Sequence, residues 1–267
     1  KVLHIKIIYF LIFLRDLPKT IKIYYPKIIL KFLITNIFDQ KNKKMFSMRN
    51  LGGSTISRGF HIFKTDKEIA EWIEHFEKNS LMIDVGANVG LYSLFAAYKN
   101  HKVIALEPES LNFACLNLNI QDNKFHDLIS AFPIAANDEK KISFLNMSKI
   151  KFGSSGHSFD RETGESGEAL KTVYKQGSLS MTIDDLVETL KISVNHIKID
   201  VDGNELKVVN GMIKTIKQKN LKSICIELNP NYAEHQNVLE ILKKNFPKYQ
   251  KIYKRKQINY NYFFKKE

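Results

Sequence analysis

The sequence has few cysteines and little arginine, and it lacks a long apolar run. Only two cysteines, Cys115 and Cys225, occur in 267 residues, and each lies in an apolar segment. Two such thiols are typical of a reducing compartment and argue against a disulfide framework or a cysteine metal site. The early apolar run over residues 7–14 has eight residues, whereas a membrane-spanning helix needs about 20. We therefore expect no membrane span there and predict a cytoplasmic protein.

Acidic residues are scarce at both ends of the chain. The net charge is +13, and residues 1–50 hold 11 basic and 2 acidic groups, while residues 243–267 hold 9 and 1. Basic, aromatic-rich ends suit an anionic membrane surface or nucleic acid. Lysine supplies 36 of the 41 basic residues, although arginine is favoured for bidentate phosphate recognition. Solvated charge is thus the favoured interpretation, contact of residues 1–38 with a membrane surface stays open, and nucleic acid is the least favoured partner.

From residue 81 onward the pattern alternates between strands and helices. Strands are predicted at 81–85, 103–106, 128–135, 141–146, 196–201 and 221–228, and helices at 90–99, 110–121, 182–191, 204–217 and 231–245. Short connections between such elements predict an α/β protein with a doubly wound, mostly parallel sheet. The C-terminal residues alternate as a hairpin does. Residues 147–180 show little periodicity, which predicts a long loop.

The N-terminal residues do not follow this pattern. Apolar blocks over 2–38 alternate with lysine and are interrupted by Pro18 and Pro26, which predicts two or three short basic amphipathic helices. Residues 39–53 are mostly polar and end in two glycines, and we predict a linker there. We therefore divide the chain into a basic helical extension with its linker (1–50) and an α/β domain (51–267).

The stretch MIDVGANVG, residues 82–90, places a turn with two glycines between the first strand and its helix. Ligands of open parallel sheets bind at such turns, where glycine lets them approach and the helix N-terminus offers unpaired N–H groups. The dinucleotide spacing G-x-G-x-x-G and the P-loop are both missing. Instead Asp84 ends the strand, and its carboxylate would repel a pyrophosphate but attract an ammonium group.

S-adenosylmethionine carries an ammonium, a sulfonium and a carboxylate, and we expect the carboxylate to face the helix N-terminus. Glu107 closes the next strand, where an acid binds the ribose hydroxyls in folds of this kind. Taken singly, each acid is equally well explained as a helix cap, but together they favour an adenosyl-sulfonium site. The candidate cofactor-binding residues are Asp84, Gly86, Ala87, Asn88, Gly90 and Glu107.

Two later strands also end in acids. Asp200 follows the strand in HIKIDVDG, and Glu227 ends the strand in SICIEL. If the sheet is wound as predicted, both lie on one rim with Asp84, because neighbouring strands are about 4.8 Å apart. An alcohol oxygen attacks well only as its proton leaves. We therefore predict Asp200 as the general base, Lys198 as the residue that holds it, and Glu227 as the second candidate.

Other acids and histidines nearby are interpreted as structural. Asp202 and Glu205 have the spacing of a capping box for the next helix. The stretch DVDGNE misplaces the glycine of a calcium loop, so no metal is predicted. His157 lies in the predicted long loop, where a histidine is more often exposed than catalytic, and its closure over the acceptor stays an alternative.

Taken together, these segments resemble the FkbM-type methyltransferases. IDVGANVGLYS, ALEPE, FPIAANDEKKISF, SMTIDDLV, IKIDVDGNELKVVNGM and ICIELNP occur in that family's order over residues 80–230. The resemblance implies a Rossmann-like fold of seven strands with the last antiparallel, S-adenosylmethionine as donor, and usually a hydroxyl on a sugar or polyketide as acceptor. It adds Asn137, where the family commonly has Ser, to the cofactor-binding set. The basic N-terminal residues lie outside it.

We therefore predict an S-adenosylmethionine-dependent O-methyltransferase that acts on a hydroxyl of a sugar, glycan or related small molecule. An RNA or protein methyltransferase is an alternative that only the charge favours. Enzymes that methylate nitrogen in DNA or in protein amides often carry an Asp/Asn/Ser-Pro-Pro-aromatic tetrapeptide after the fourth strand, where this chain has DVDG. A non-catalytic adenosyl-binding module at a membrane is the third interpretation.

Overall fold

The computed structural model describes residues 34–39, 43–55, 57–58, 67–164, 167–254 and 259–266. In chain order the strands are β1 (Ile34–Phe38), β2 (Lys44–Arg49), β3 (Leu81–Val85), β4 (Lys102–Leu106), β5 (Ile129–Phe132), β6 (Ala135–Ala136), β7 (Lys141–Met147), β8 (His157–Phe159), β9 (Tyr174–Met181), β10 (His196–Ile199), β11 (Ser223–Leu228), β12 (Lys248–Lys254) and β13 (Tyr260–Lys265). The helices are α1 (Lys67–Glu74), α2 (Leu91–Tyr98), α3 (Ser110–Asn123), α4 (Ile183–Leu190), α5 (Glu205–Asn210), α6 (Ile213–Lys217) and α7 (Ala233–Asn245).

The centre of the fold is a seven-stranded sheet in the order β12-β13-β11-β10-β3-β4-β5. Strands β11, β10, β3, β4 and β5 run parallel, and β13 runs antiparallel to both of its neighbours. The doubly wound, mostly parallel sheet with an antiparallel last strand is thus confirmed. The strand order reverses at β3, so the carboxyl ends of β3 and β10 flank the switch point where such sheets bind ligands.

Two apolar cores cover the two faces of this sheet. Met82 belongs to one core and Ile83 to the other, because successive strand residues point to opposite faces. Helices α1, α2 and α3 pack on the first face, and α4, α5, α6 and α7 pack on the second. Cys115 and Cys225 are buried free thiols, as predicted.

Residues 34–38 and 44–49 differ from the prediction. Instead of a helix and a linker they form an antiparallel hairpin of β1 and β2. Phe46 and Met48 of β2 are buried in the first core, and the side chains of Asn119 and Asn123 in α3 accept hydrogen bonds from backbone N–H groups of β2. The linker prediction is therefore wrong over β2. The helices predicted over residues 2–33 lie outside the described residues, and the predicted membrane contact of residues 1–38 and the division of the chain at residue 50 stay predictions.

The predicted loop over residues 147–180 contains β8 and most of β9. Strand β9 pairs with β7, and β6 and β8 complete a four-stranded sheet in the order β6-β9-β7-β8. The sequence YKQGSLSM of β9 has too few large apolar residues to reveal it. The strand predicted over 128–135 splits at Pro133, which cannot continue a hydrogen-bonded ladder, so the chain passes there from the central sheet to the second one. Within the described ranges, every helix is too short or too polar to cross a membrane.

Candidate active site

A cavity of about 180 Å³ lies at the carboxyl ends of β3, β4, β10 and β11. The second sheet closes one side of it, through Leu145 and Phe159. Its acidic lining residues are Glu107, Glu109, Asp200, Asp202 and Glu227. Among the described residues, Arg58 is the only lysine or arginine in its wall. The same residues include no group of three or more His, Cys, Asp or Glu side chains arranged to hold a metal ion.

The turn after β3 depends on glycine and asparagine. Gly86 and Asn88 have φ angles of 75° and 52°, in the left-handed region that glycine and asparagine tolerate. A Cβ on Gly86 would lie 1.9 Å from the carbonyl oxygen of Asp200, and one on Gly90 would lie 2.4 Å from a Leu116 methyl. Both glycines therefore permit close packing within the protein. Gly86 also lines the cavity, whereas Gly90 does not.

Asp84 is fully buried and does not line the cavity. Its carboxylate accepts a hydrogen bond from the Ser93 hydroxyl at 2.7 Å, and its Oδ1 lies 3.2 Å from Lys198 Nζ. Lys198 Nζ lies in turn 3.7 Å from Asp200 Oδ2. Burial opposes the charge of Lys198, but the two carboxylates outweigh burial and hold the pKa of Lys198 above its usual range. The predicted direct contact of Asp84 with a ligand ammonium is therefore corrected, since Lys198 neutralises Asp84 inside the protein.

Glu107 lies in the cavity wall directly after β4. Its Oε2 accepts a hydrogen bond from the N–H of Asn88 at 2.7 Å, and its Oε1 accepts one from the N–H of Glu109 at 2.9 Å. Burial raises the pKa of Glu107 to about 7, although both hydrogen bonds oppose the rise. A carboxylate has about four acceptor positions, so Glu107 can also accept hydrogen bonds from two ribose hydroxyls. The site therefore fits an adenosyl cofactor.

We expect the variant Glu107→Gln to bind S-adenosylhomocysteine about 10- to 100-fold more weakly at pH 8, because hydrogen bonds to a charged acceptor are lost. Its free energy of unfolding at that pH reflects two opposing effects. The Glu107 pKa of about 7 exceeds the ordinary value of 4.5. The protonated carboxyl group therefore contributes fully to the stability of the folded protein below pH 4.5, and this contribution is lost as the pH rises through 7. Above that pH its ionisation costs up to about 3 kcal/mol, which the variant avoids. The variant also leaves the N–H of Asn88 or of Glu109 without its acceptor, which costs about 1–3 kcal/mol, so we expect the two effects to offset each other at pH 8.

Calorimetric titration and urea unfolding at pH 6 and pH 8 measure both effects. The matched control is Glu109→Gln, because the Glu109 carboxylate caps α3 through the N–H groups of Leu111 and Asn112. That control should lose stability. A Glu107→Gln variant that binds as tightly as the wild type would contradict the proposed ribose contact.

The sequence interpretation missed Asp202 as a site residue. It does not cap α5; the N–H of Gly203 donates to Glu205 Oε1 at 3.2 Å, and Asp202 Oδ2 accepts a hydrogen bond from the N–H of Gly156 at 2.7 Å. Burial, and next the charge of Asp200, raise the pKa of Asp202 to about 6. Asp202 thereby connects the end of β10 to the segment between β7 and β8, a contact with no local sequence signal.

The segment between β7 and β8 is fixed over the turn after β3. The carbonyl of Ser154 accepts hydrogen bonds from the side-chain amides of Asn88 at 2.8 Å and Asn112 at 3.0 Å. His157 Nε2 lies 3.0 Å from Ser154 Oγ, and its Nδ1 accepts a hydrogen bond from the N–H of Ser148 at 3.3 Å. Burial lowers the pKa of His157 to about 4. This histidine is thus a neutral, buried part of the cavity wall rather than an exposed loop residue.

The structure brings together only part of the predicted site. Glu227 lines the cavity 3.4 Å from Asn259 Nδ2, and the side chain of Asp200 is 34% exposed. Asn137 is fully buried behind the wall, where neither polar atom of its side chain hydrogen-bonds to a described residue. Of the predicted residues, Gly86, Asn88, Glu107, Asp200 and Glu227 line the cavity, whereas Asp84, Ala87, Gly90, Asn137 and Lys198 do not.

The strand order and the acid-lined cavity beside a glycine turn define a Rossmann-like methyltransferase. The family model of the methyltransferase FkbM domain matches residues 84–251, which is more than half of the chain. The chain therefore belongs to the FkbM methyltransferase family, and its methyl donor is S-adenosylmethionine. No curated protein matches the sequence significantly.

Several solved methyltransferases are distantly similar. The N-terminal domain of human METTL16 in complex with SAH is 13% identical, covers 94% of this chain and 95% of its own, and has a TM-score of 0.47. The human methyltransferase 10 domain containing protein is 14% identical over 80% of this chain and 83% of its own, with a TM-score of 0.45. The precorrin-6y C5,15-methyltransferase from Geobacter metallireducens GS-15 is 10% identical, covers 81% of this chain and 91% of its own, and has a TM-score of 0.45. These likenesses are too distant to bear on the acceptor.

Proposed function

We propose that this protein transfers a methyl group to a hydroxyl of a sugar, glycan or related small molecule. The supporting observation is that Asp200, Asp202 and Glu227 share one cavity with Glu107. Carboxylates accept hydrogen bonds from hydroxyl groups, so a neutral polyol suits this wall. A phosphodiester close to the same acids would be repelled, which disfavours an RNA acceptor.

In this proposal Asp200 is the general base. S-adenosylmethionine, when bound, supplies an electrophilic methyl group on a sulfonium. Asp200 takes the hydroxyl proton while the acceptor oxygen forms its bond to the methyl carbon and the bond from that carbon to sulfur breaks. The side chain of Asp200 is the partly exposed member of its pair with buried Lys198, so it can meet an acceptor while Lys198 fixes its orientation. Much of the rate enhancement then comes from alignment of the reacting atoms.

Lys198 and Glu227 have different parts in this proposal. Lys198 is a positioning residue, because it is buried behind the cavity wall between Asp84 and Asp200. Glu227 lines the cavity one strand further along the sheet. We assign it to binding of a second acceptor hydroxyl, and it is the alternative base if Asp200 proves dispensable.

A labelling experiment tests the proposed function. The purified protein is incubated with S-adenosylmethionine that carries an isotopically labelled methyl group and with separate glycan, glycolipid, RNA and protein fractions. The proposal predicts label in a saccharide fraction, in a form that mild alkali does not release, because a methyl ether resists alkali and a methyl ester does not. Label only in RNA or protein would contradict it. Binding of the cofactor without transfer to any fraction would favour the non-catalytic interpretation.

A further inference from the structure

Arg58 lines the cavity and is charged, but it has no role in the methyl transfer proposed above. We propose that Arg58 binds the carboxylate of the methionine moiety of S-adenosylmethionine. The inference rests on the cofactor of the family and does not depend on which acceptor is methylated.

The expected partner for this carboxylate, the N-terminus of α2, is not presented to the cavity. Gly90, Leu91, Tyr92 and Ser93 are buried, and none of them lines the cavity wall. Leu91 and Ser93 pack into the protein, where Ser93 bonds to Asp84. The carboxylate of the cofactor therefore needs a partner elsewhere in the wall.

Most other polar groups of the wall are already engaged or carry the wrong charge, and the hydroxyl of Ser155 is neutral. The side-chain amides of Asn88 and Asn112 donate to the carbonyl of Ser154, and His157 is engaged through both ring nitrogens. The acidic residues of the wall repel a carboxylate when ionised. Arg58 supplies the only full positive charge among the described lining residues.

Arg58 is held by its backbone and by its Nε–H group. Its backbone N–H donates to the carbonyl of Ser54 at 3.0 Å, and the N–H of Ser54 donates to the carbonyl of Phe152 at 3.0 Å. The Nε–H of Arg58 donates to the carbonyl of Gly153 at 3.3 Å. Within the part of the chain that the structure describes, its two Nη groups make no hydrogen bond or ion pair. A guanidinium with free Nη groups matches a carboxylate with two parallel hydrogen bonds.

The charge balance of the cavity supports the same assignment. Burial and the charge of Asp200 raise the pKa of Asp202, and Arg58 is among the groups that oppose this rise, so its charge acts inside the cavity. The ammonium and sulfonium of the cofactor are attracted by the acidic wall. Its carboxylate is the one part that this wall disfavours, and a single arginine compensates for it.

Calorimetric titration with S-adenosylhomocysteine and with its decarboxylated analogue tests the proposal without an acceptor. We expect Arg58→Gln to weaken binding of S-adenosylhomocysteine about 10- to 100-fold, as for a lost charged hydrogen bond, and to leave binding of the decarboxylated analogue unchanged. Arg58→Lys should recover part of the affinity, because it keeps the charge but not the fork. Arg49→Gln is the matched control, since Arg49 pairs with Asp122 outside the cavity.

Two results would overturn the assignment. The first is an Arg58→Gln variant that binds S-adenosylhomocysteine as tightly as the wild type. The same result is expected if Arg58 binds an anionic acceptor instead of the cofactor. The second is an equal loss of affinity for both ligands, which would indicate a general change of the site. A circular dichroism melting curve that matches the wild type confirms that each variant is folded.

Discussion

Replacing Asp200 with Asn is expected to lower the turnover number about 10²- to 10⁴-fold, which is the usual contribution of general acid–base catalysis. Asparagine keeps the size of the side chain and one acceptor oxygen, but it cannot take the hydroxyl proton. Binding of S-adenosylhomocysteine should be nearly unchanged, because the predicted ribose contact is Glu107. Single-turnover methyl transfer and calorimetry together separate the chemical step from cofactor binding.

The control for this variant is Asp127→Asn, which removes one acid whose side chain is 90% exposed. It should leave turnover unchanged. If Asp200→Asn retains full turnover, Asp200 is not the base. In that case the same measurement on Glu227→Gln decides whether the second candidate takes its place.

Replacing Lys198 with Met is expected to lower the free energy of unfolding by about 3–5 kcal/mol, the usual cost of leaving a buried charge without its partner. Asp84 has no exposed surface, and its Oδ1 lies 3.2 Å from Lys198 Nζ. Without Lys198, the Asp84 carboxylate keeps the hydrogen bond from the Ser93 hydroxyl but loses its ion pair. Urea unfolding measures the loss.

A double variant separates the lost ion pair from lost packing. In Lys198→Met combined with Asp84→Asn the buried charge is gone, so we expect most of the stability to return. The control is Lys175→Met, whose ion pair with Glu162 is exposed and is worth at most about 1 kcal/mol. If Lys198→Met loses no more stability than Lys175→Met, water or another cation reaches Asp84.

Much of the central sheet follows from the sequence, because its strands are short apolar runs between turn residues. Strand β3, the glycine turn and α2 are adjacent in the chain, so their order is visible without any long-range contact. The hairpin of β1 and β2 was missed because lysines and polar residues lie near Phe46 and Met48 in the sequence. These side chains are covered by α2 and α3, which the sequence does not place next to β2. Strand β9 was missed for a similar reason, since it is recognised by its pairing with β7.

The site was predicted only in part, because cross-strand partners are not visible in the sequence. Asp84 and Lys198 are directly opposite each other in the parallel ladder of β3 and β10, although 113 residues separate them. Their ion pair removes Asp84 from the set of ligand contacts. Asp202 and Arg58 enter the cavity through contacts with the segment between β7 and β8. Each contact joins a loop to a residue that is distant in the chain, so no local sequence signal could have revealed it.

The central claim is that the cofactor binds in the acid-lined cavity with its reactive methyl group near Asp200. A crystal structure of the full chain with S-adenosylhomocysteine tests it most directly. We expect the ribose hydroxyls within hydrogen-bond distance of Glu107 and the sulfur on the side of the cavity that Asp200 lines. A ligand bound elsewhere, such as in the aromatic groove between α1 and β13 that Trp72 and Phe263 line, would contradict the claim.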